Sequence, residues 1–340
     1  MTTTPLVSVI VSTYNSEEFI DGKIKDLISQ TIFDRTEIII INSGSLQNEE
    51  EIVKKYLDNY SNIKYLRTKQ RESIYKAWNR GIEIAKGQFI TNANTDDRLS
   101  ENAFEILSNY LLTNSDVSLV YGDQYVTSVP NQLFEETKSD PKAIAYRSPE
   151  FNYFYQLDRG LVFSQPMWRA KLHFEDNIWY DENYEICGDY DFQLKISQKY
   201  KMHHIQEFLG TFYLSPGKKN KSHNNLHAVI KERQKISEPY IRDYILRKEE
   251  KFLQEIISTK FNEYIKIPIP LFYIWKRFNL FLKPGLVYNK YFYTIEYAYY
   301  FSIIAFIKMG HTNRSLKLAN RYLRYSNSDR IDLERKKLLK

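Results

Sequence analysis

Short apolar runs alternate with longer amphipathic segments over roughly the first third of the chain. The runs Leu6–Thr13 and Glu37–Ile41 are almost continuously apolar and rich in β-branched residues, which is typical of strands covered on both faces. Between them, Ser16–Gln30 places apolar residues at helical spacing behind a serine suited to cap the first turn. The same alternation predicts helices over Leu46–Asn59, Ser73–Lys86 (closed by Gly87) and Glu101–Thr113, and strands over Ile63–Arg67, Gln88–Thr91 and Val117–Tyr121. Strands separated by helices in this way predict an α/β fold with a mainly parallel sheet and flanking helices.

The second half of the chain follows a looser pattern. Mixed strand and loop signals lead to a helix predicted over Asp189–Tyr200 and an alternating strand over His204–Leu214. From residue 226 onward the segments are helical in pattern and are interrupted by prolines. We therefore expect two parts, an α/β domain over 1–225 and a helical region over 226–340.

Charge separates the same two parts. The chain has 340 residues and a net charge of +6, but Lys and Arg outnumber Asp and Glu only near the carboxyl end. Residues 251–340 also hold many of the 28 tyrosines and 20 phenylalanines. A single cysteine, Cys187, excludes a disulfide framework and a four-cysteine zinc site, and it fits a reducing compartment.

Polar residues follow three of the predicted strands. The first strand ends in Ser12-Thr13-Tyr14-Asn15, the second in Asn42-Ser43-Gly44-Ser45 and the fourth in Asn92-Ala93-Asn94-Thr95-Asp96-Asp97. In an open α/β sheet, ligands bind beyond the carboxyl ends of the strands. An aromatic ring, a glycine-containing polar turn and a pair of carboxylates at one edge suit a nucleotide with a divalent metal ion. The sequence contains neither a Walker loop nor a GxGxxG motif, which argues against phosphoryl-transfer NTPases and dinucleotide enzymes.

Six segments resemble the family 2 glycosyltransferases of GT-A fold. They are SVIVSTYN at 8–15, INSGS at 41–45, SIYKAWNRGIEIAKGQFI at 73–90, NTDD at 94–97, and PMWRAKL at 166–172 followed by ICGDYDFQLKI at 186–196. The resemblance spans roughly residues 6–215 in the family's order. It implies an inverting transfer of a sugar from a nucleotide donor, with a UDP-sugar expected, to a hydroxyl of a glycan or glycolipid in surface polysaccharide synthesis.

The resemblance assigns a nucleotide site to the first two strand ends. It places Tyr14 against the base, with Ser12, Thr13 and Asn15 beside it, and places Asn42 and Ser43 where many members carry acids. Arg71 is expected to reach the base or the phosphates. Because Asn42 and Ser43 replace both acids of the usual turn, this sequence leaves the identity of the bound base open.

The resemblance also assigns the chemistry. Asp96 is expected to contact the ribose or the metal, and Asp97 to hold Mn²⁺ or Mg²⁺ against the diphosphate. His223, in a late polar loop, is a further candidate metal ligand. Asp189 lies at the position of the catalytic base, with Asp191 as the alternative because Gly188 replaces the frequent Glu before it. Trp168 and Arg169 are expected on the acceptor or diphosphate side.

Other interpretations of these residues remain open at this point. The acid pair at 96–97 and the acids at 189 and 191 would also suit the first turns of helices. A nucleotidyltransferase would share the nucleotide-binding edge. The loss of both acids at 42–43 would also fit a degenerate sugar-nucleotide-binding scaffold protein.

The basic, aromatic carboxyl-terminal segment lies outside the resemblance. Segments such as IPLFYIWKRFNLFLK at 269–283 have the composition of helices that lie at a membrane surface. We expect residues 256–340 to contact an anionic membrane surface, with packing on the catalytic domain or a homo-oligomer seam as the alternative. The chain opens without a secretory signal pattern, so a cytoplasmic location at the inner face of the cell membrane is expected. The basic charge accompanies no nucleic-acid-binding module, and nucleic acid is not an expected partner.

Overall fold

The computed structural model describes residues 4–151 and 165–216, the isolated positions 153, 156 and 162, and most positions within 228–240. The chain divides into two units, Met1–Asn224 and Asn225–Lys340. The candidate ligand His223 and the segment 256–340 lie outside the described residues. Within the described part of the chain, no helix has the length and apolar character needed to cross a membrane.

Within the described residues, nine strands form one sheet. They are β1 Val7–Thr13, β2 Thr36–Asn42, β3 Ile63–Arg67, β4 Phe89–Asn92, β5 Arg98–Leu99, β6 Val117–Thr127, β7 Ile144–Tyr146, β8 Met167–Arg169 and β9 Lys201–Tyr213. The strand order is β3-β2-β1-β4-β8-β6-β9-β5, and β7 pairs with β6. Strands β1 to β4 are mutually parallel, β6 and β9 are parallel, and the short β8 runs antiparallel between β4 and β6.

The helices follow the strands in the predicted alternation. They are α1 Glu17–Ile28, α2 Glu49–Leu57, α3 Ile74–Glu83, α4 Ala103–Thr113, α5 Phe134–Ser139, α6 Lys171–Phe174 and α7 Gly188–Ser197, with a 3₁₀ turn at Phe33–Arg35. The prediction of an α/β fold with a sheet and flanking helices is confirmed. The predicted helices begin or end a few residues away from the observed ones, as helix ends commonly do.

Two apolar clusters cover the two faces of the sheet. Val9 and Ile38 belong to the cluster that includes residues of α1 and α4, whereas Ile10 and Ile39 belong to the cluster that includes residues of α3 and α7. Successive side chains of a strand point to opposite faces, so neighbouring residues of β1 and β2 supply both clusters. All seven residues of β2 are buried, which explains its continuous isoleucine run.

Gly87 does not cap a helix, contrary to the expectation from its position. Helix α3 ends at Glu83, with Ile84 as its C-cap residue. The backbone N–H of Gly87 instead donates to Ser8 Oγ at 2.7 Å. A Cβ atom at residue 87 would lie 2.5 Å from the backbone nitrogen of Ser8, so this position needs glycine because the chain passes directly against β1.

Candidate active site

The carboxyl ends of three neighbouring parallel strands meet at one edge of the sheet. In the order β2-β1-β4 these strands end at Asn42, Thr13 and Asn92. The segments predicted to carry chemistry leave the sheet at these three points. The fold therefore brings the predicted nucleotide segments and the acid pair to the same edge, where α/β proteins bind ligands.

Tyr14 and Arg71 lie against each other at this edge. The guanidinium carbon of Arg71 is 4.3 Å from the centroid of the Tyr14 ring, a cation–π contact. Tyr14 is half-buried and Arg71 is exposed, so the pair faces solvent. Ser12 is half-buried and Thr13 is buried within β1 just before them.

A buried glutamate ties the end of β1 to the end of β2. Glu49, at the start of α2, has no exposed surface and accepts a hydrogen bond at 2.8 Å from the backbone N–H of Ser16. Both of its carboxylate oxygens accept from Ser45 Oγ at 2.7 Å, and Ser45 Oγ in turn accepts from the backbone N–H of Asn15 at 3.0 Å. Asn15 has a positive φ of 52°. This network fixes the turn that presents Tyr14.

Asn42 and Ser43 are buried, and their side chains are engaged by the fold. Asn42 donates to the Tyr65 hydroxyl at 2.9 Å and accepts from the backbone N–H of Ser45 at 2.8 Å. The Ser43 hydroxyl donates to the backbone carbonyl of Glu72 at 3.1 Å and accepts from its N–H at 2.6 Å. These bonds join the β2 turn to the segment that carries Arg71.

The acid pair follows β4 and its two carboxylates have different surroundings. Asp97 is buried, and its oxygens accept from the backbone N–H of Tyr213 at 2.9 Å and from Asn94 Nδ2 at 3.0 Å. Burial, together with repulsion from Asp96, raises the pKa of Asp97 to about 7. Asp96 is more exposed, and burial raises its pKa as well. A divalent cation would relieve this repulsion, and paired carboxylates are ligands that hard cations prefer. The acid pair therefore fits such a cation.

A buried ion pair and a buried arginine lie behind the acid pair. Lys23 and Asp26 of α1 form a salt bridge of 2.9 Å, and neither is exposed by more than a few per cent. The guanidinium of Arg98 donates to the backbone carbonyls of Thr95 at 2.8 Å and Asp97 at 2.6 Å. These bonds hold the backbone of the loop that carries the acid pair. Sequence reasoning missed this network because charged residues within an amphipathic helix are usually solvated.

The two candidate bases differ in their exposure to solvent. Asp189 lies exposed in the first turn of α7, whereas Asp191 is buried and forms a salt bridge of 2.7 Å with Lys195. Burial raises the pKa of Asp191, although Lys195 opposes this effect. Asp189 is therefore the more accessible of the two carboxylates.

Helix α3 is joined to the segment before α7. The side-chain amide of Asn79 donates to the carbonyl of Tyr180 at 3.0 Å and accepts from its N–H at 3.2 Å. A Cβ atom at Gly188 would lie 2.7 Å from the Tyr75 ring. The absence of a side chain at 188 therefore lets the Tyr75 ring pack against the start of α7.

A cleft opens beside Asp189. It has a volume of about 380 Å³, and the described residues that line it include Trp78, Asn92, Asn94, Gln165, Tyr180, Asp189 and Phe192. It thus adjoins both the segment after β4 and the first turn of α7. No group of three or more His, Cys, Asp or Glu arranged to hold a metal ion occurs among the described residues.

Trp168 and Arg169 make the contacts of structural residues. Trp168 has no exposed surface, and its Nε1–H donates to His173 Nε2 at 2.7 Å. The guanidinium of Arg169 donates to the backbone carbonyls of Leu111, Asn114 and Val117. Neither residue is among the described residues that line the cleft. These contacts do not fit the expected role in acceptor or diphosphate binding, because the fold already occupies both side chains.

Comparison with known proteins decides the family. Residues 8–170 match the model of the family described as Glycosyl transferase family 2. The chain carries a family 2 glycosyltransferase domain. The match covers β1 to β4, the acid pair and β8, and so includes the nucleotide segments described above.

Relatives of this glycosyltransferase include enzymes of different sizes. Over 226 residues it is 27% identical to the uncharacterized glycosyltransferase MJ1057 of Methanocaldococcus jannaschii, covering 64% of this chain and 76% of that protein. It is 26% identical to the chondroitin synthase of Pasteurella multocida over 60% of this chain, but it spans only 20% of that synthase.

The fold of the glycosyltransferase also resembles solved structures. The S. aureus TarS fragment 1–349 in complex with UDP has a TM-score of 0.55 and 14% sequence identity, covering 93% of this chain and 90% of that one. The same fragment in complex with UDP-GlcNAc has a TM-score of 0.54. At this identity the likeness concerns the fold.

Proposed function

We propose that the chain transfers a sugar from a UDP-sugar to a hydroxyl group of a glycan or lipid-linked glycan, with inversion at the anomeric carbon and with the help of Mn²⁺ or Mg²⁺. The observation that carries this proposal is the convergence of three groups at one sheet edge. These are the Tyr14–Arg71 pair, the acid pair Asp96–Asp97, and Asp189 at the rim of the cleft.

The donor assignment rests on the site and on the fold relatives. A base can stack on the face of the Tyr14 ring that Arg71 does not cover, and Arg71 adds a positive charge near the expected phosphates. The TarS fragment with the same fold has been solved with UDP and with UDP-GlcNAc. We therefore propose UDP as the carrier. The synthase relatives from Pasteurella multocida, named for chondroitin and hyaluronan, support a polysaccharide or related glycan as the product.

The proposed mechanism assigns one role to each charged group. Asp189 accepts the proton of the acceptor hydroxyl as its oxygen forms the bond to the anomeric carbon. The bond between that carbon and the diphosphate oxygen breaks in the same displacement, which inverts the configuration. Asp96 and Asp97 would hold the divalent ion, which when bound would stabilise the negative charge of the departing diphosphate.

Product analysis tests this proposal. With a UDP-sugar, Mn²⁺ and a glycan acceptor, we expect release of UDP and a glycan extended with inverted configuration.

Asp189→Asn should lower turnover by at least about a hundredfold while UDP affinity stays within about twofold of wild type. Asp191→Asn serves as the comparison, because Asp191 is paired with Lys195 and should affect stability more than turnover. Release of pyrophosphate from a nucleoside triphosphate would instead indicate a nucleotidyltransferase.

A location at a membrane surface is a separate proposal that rests on sequence alone. The basic, aromatic composition of 256–340 suits attachment to anionic lipid, where each Lys or Arg adds about 1 kcal/mol of attraction. We expect the full chain to sediment with vesicles that contain anionic lipid and removal of 256–340 to abolish this. Undiminished sedimentation after the truncation would favour packing or oligomerisation as the role of this segment.

A further inference from the structure

Three residues that line the cleft beside Asp189 each carry a buried polar atom that has no hydrogen-bond partner among the described residues. The atoms are Trp78 Nε1, Asn92 Oδ1 and Gln165 Oε1. The three residues are only 5%, 8% and 4% exposed. Buried polar groups are nearly always paired, because leaving one unpaired costs about 1–3 kcal/mol. Three such atoms on residues that line one cleft would gain partners from a polar ligand bound there.

These side chains are held in place by their surroundings. Trp78 packs against the rings of Tyr75 and Tyr180, with centroid distances of 5.5 and 5.1 Å. Asn92 is the last residue of β4 and is paired with Ile10 of β1. The amide nitrogen of Gln165 points to the backbone carbonyl of Arg98 at 3.5 Å, so its oxygen is the end left without a partner. The positions of the three polar atoms are therefore fixed before any ligand binds.

The remaining wall of the cleft is mostly apolar. Tyr180, Phe192 and Phe212 contribute aromatic surface, and Val126 and Leu214 contribute aliphatic surface. A pyranose ring has C–H groups that pack on such surfaces and hydroxyl groups that both donate and accept hydrogen bonds. A cleft with one fixed donor and two fixed acceptors among apolar walls matches this chemistry.

The charged residues that line the cleft indicate whether it suits a neutral or an acidic sugar. No Lys, Arg or His is among the described residues that line it, and Asp189 stands at its rim. A sugar carboxylate would lie near two unpaired oxygen acceptors and one carboxylate, with no cation in this lining to compensate its charge. Burying a charge without such a partner is strongly unfavourable.

We propose that Trp78, Asn92 and Gln165 bind the transferred sugar of the donor and select a neutral hexose or N-acetylhexosamine against a uronic acid. This inference rests on the proposed function and deepens it. The cleft suits the donor sugar because Asn92 and Asn94 lead directly to the acid pair, while Asp189 lies at the rim. A sugar bound there lies between the expected diphosphate site and the proposed base.

The test compares donor affinities of the full-length chain with Mn²⁺ by calorimetry. The probes are UDP, four neutral donors (the UDP-linked forms of glucose, galactose and their N-acetylamino derivatives) and UDP-glucuronate. We expect at least one neutral donor to bind at least about tenfold more tightly than UDP-glucuronate, because a site built for polar groups rejects a mismatched ligand strongly. Equal or tighter binding of UDP-glucuronate would overturn the inference while leaving the proposed function intact.

Two variants test the polar atoms themselves. Trp78→Phe removes the N–H but keeps an aromatic ring, and Gln165→Asn withdraws the amide oxygen while tolerating the positive φ of 61° at this position. Each should weaken the best neutral donor about tenfold and leave UDP affinity within about twofold, since one buried hydrogen bond is lost. Trp179→Phe is the matched control, because Trp179 Nε1 donates to Asn177 and does not line the described cleft.

The outcomes separate the two proposals. Equal weakening of UDP and of the neutral donor in Trp78→Phe and Gln165→Asn would show a general effect on the fold or on the nucleotide site, and would overturn the sugar subsite. Unchanged affinity for the neutral donor in both variants would also overturn it. If neither UDP nor another nucleoside diphosphate bound the wild-type chain, the proposed function would fail and the sugar subsite with it.

Discussion

The guanidinium of Arg71 lies over the ring of Tyr14, 4.3 Å from its centroid, at the edge of the sheet where β1 and β2 end. The two residues come from segments that follow different strands. The buried Glu49 fixes the turn after β1, and Ser43 fixes the segment that leads to Arg71. Their contact is therefore a product of the fold and marks the expected position of the base.

This contact leads to a prediction about nucleotide affinity. Tyr14→Ala should weaken UDP binding about tenfold, because stacking of a base on an aromatic ring contributes about 1–3 kcal/mol. Tyr14→Phe keeps the ring and should bind within about twofold of wild type. Calorimetric titration with UDP measures both. Equal affinity of the alanine variant and the wild type would remove Tyr14 from the nucleotide site.

Loss of the charge at Asp96 and loss of the charge at Asp97 should have different effects on Tm. Asp97→Asn removes a charge that burial and Asp96 disfavour, so at neutral pH without metal it should raise Tm by about 2–4 °C, and it should also remove Mn²⁺-dependent UDP binding. Asp96→Asn should remove the Mn²⁺-dependent binding with little change in Tm. Thermal melts and titrations with and without Mn²⁺ test the pair. If both variants kept the Mn²⁺ dependence, neither carboxylate would hold the metal.

Close packing of Gly188 against Tyr75 predicts that an alanine at this helical position destabilises the protein instead of stabilising it. An alanine inside a helix normally stabilises it relative to glycine, by up to about 1 kcal/mol. Here the new Cβ would lie 2.7 Å from the buried Tyr75 ring, so Gly188→Ala should destabilise the protein by about 1–3 kcal/mol. In a Tyr75→Leu background the penalty should shrink. Urea unfolding of the four proteins measures this coupling, and an equal penalty in both backgrounds would show that the ring is not its cause.

Buried His173 predicts a pH dependence of stability. Burial lowers the pKa of His173 to about 4, whereas an unfolded histidine titrates near 6.5. Between about pH 4 and about pH 6.5 the folded protein binds fewer protons at this site than the unfolded chain, so stability rises with pH across this window. The full effect is about 3 kcal/mol. His173→Gln should flatten the curve of unfolding free energy against pH, and a curve of unchanged slope would assign the pH dependence to other groups.

Local pattern was sufficient for the elements that position the nucleotide site. Strands β1, β2 and β4 are short apolar runs bounded by polar residues, and each was predicted to within two residues. The run Ile63–Arg67 was predicted with its observed bounds as β3. Parallel strands buried on both faces leave this signal because most of their side chains pack into apolar layers. The family resemblance assigned roles to the acid pair and to Asp189, and these roles stay predictions.

Contacts between segments that are far apart in the sequence could not be predicted from the local pattern of apolar and polar residues. The three-residue strand β8 carries no periodicity, and it reverses direction between β4 and β6. Lys23 and Asp26 lie in an amphipathic helix, where charged side chains are usually solvated, yet both are buried. Glu49 is one of three acids in the first turn of α2, and local sequence does not distinguish it from the other two. In each case the deciding factor is a partner that lies far away along the chain and is invisible to local spacing.

The join between α3 and the start of α7 limits how this enzyme can be re-engineered. Asn79 pairs with the backbone of Tyr180 in both directions, and the Tyr75 ring fills the space that a side chain at Gly188 would need. A chimaera that imports the segment around 180–197 from a relative with glutamate at position 188 would bring in a side chain that this α3 cannot accept. Grafting of this segment therefore requires α3 to be transferred with it, although α3 lies about a hundred residues earlier in the chain.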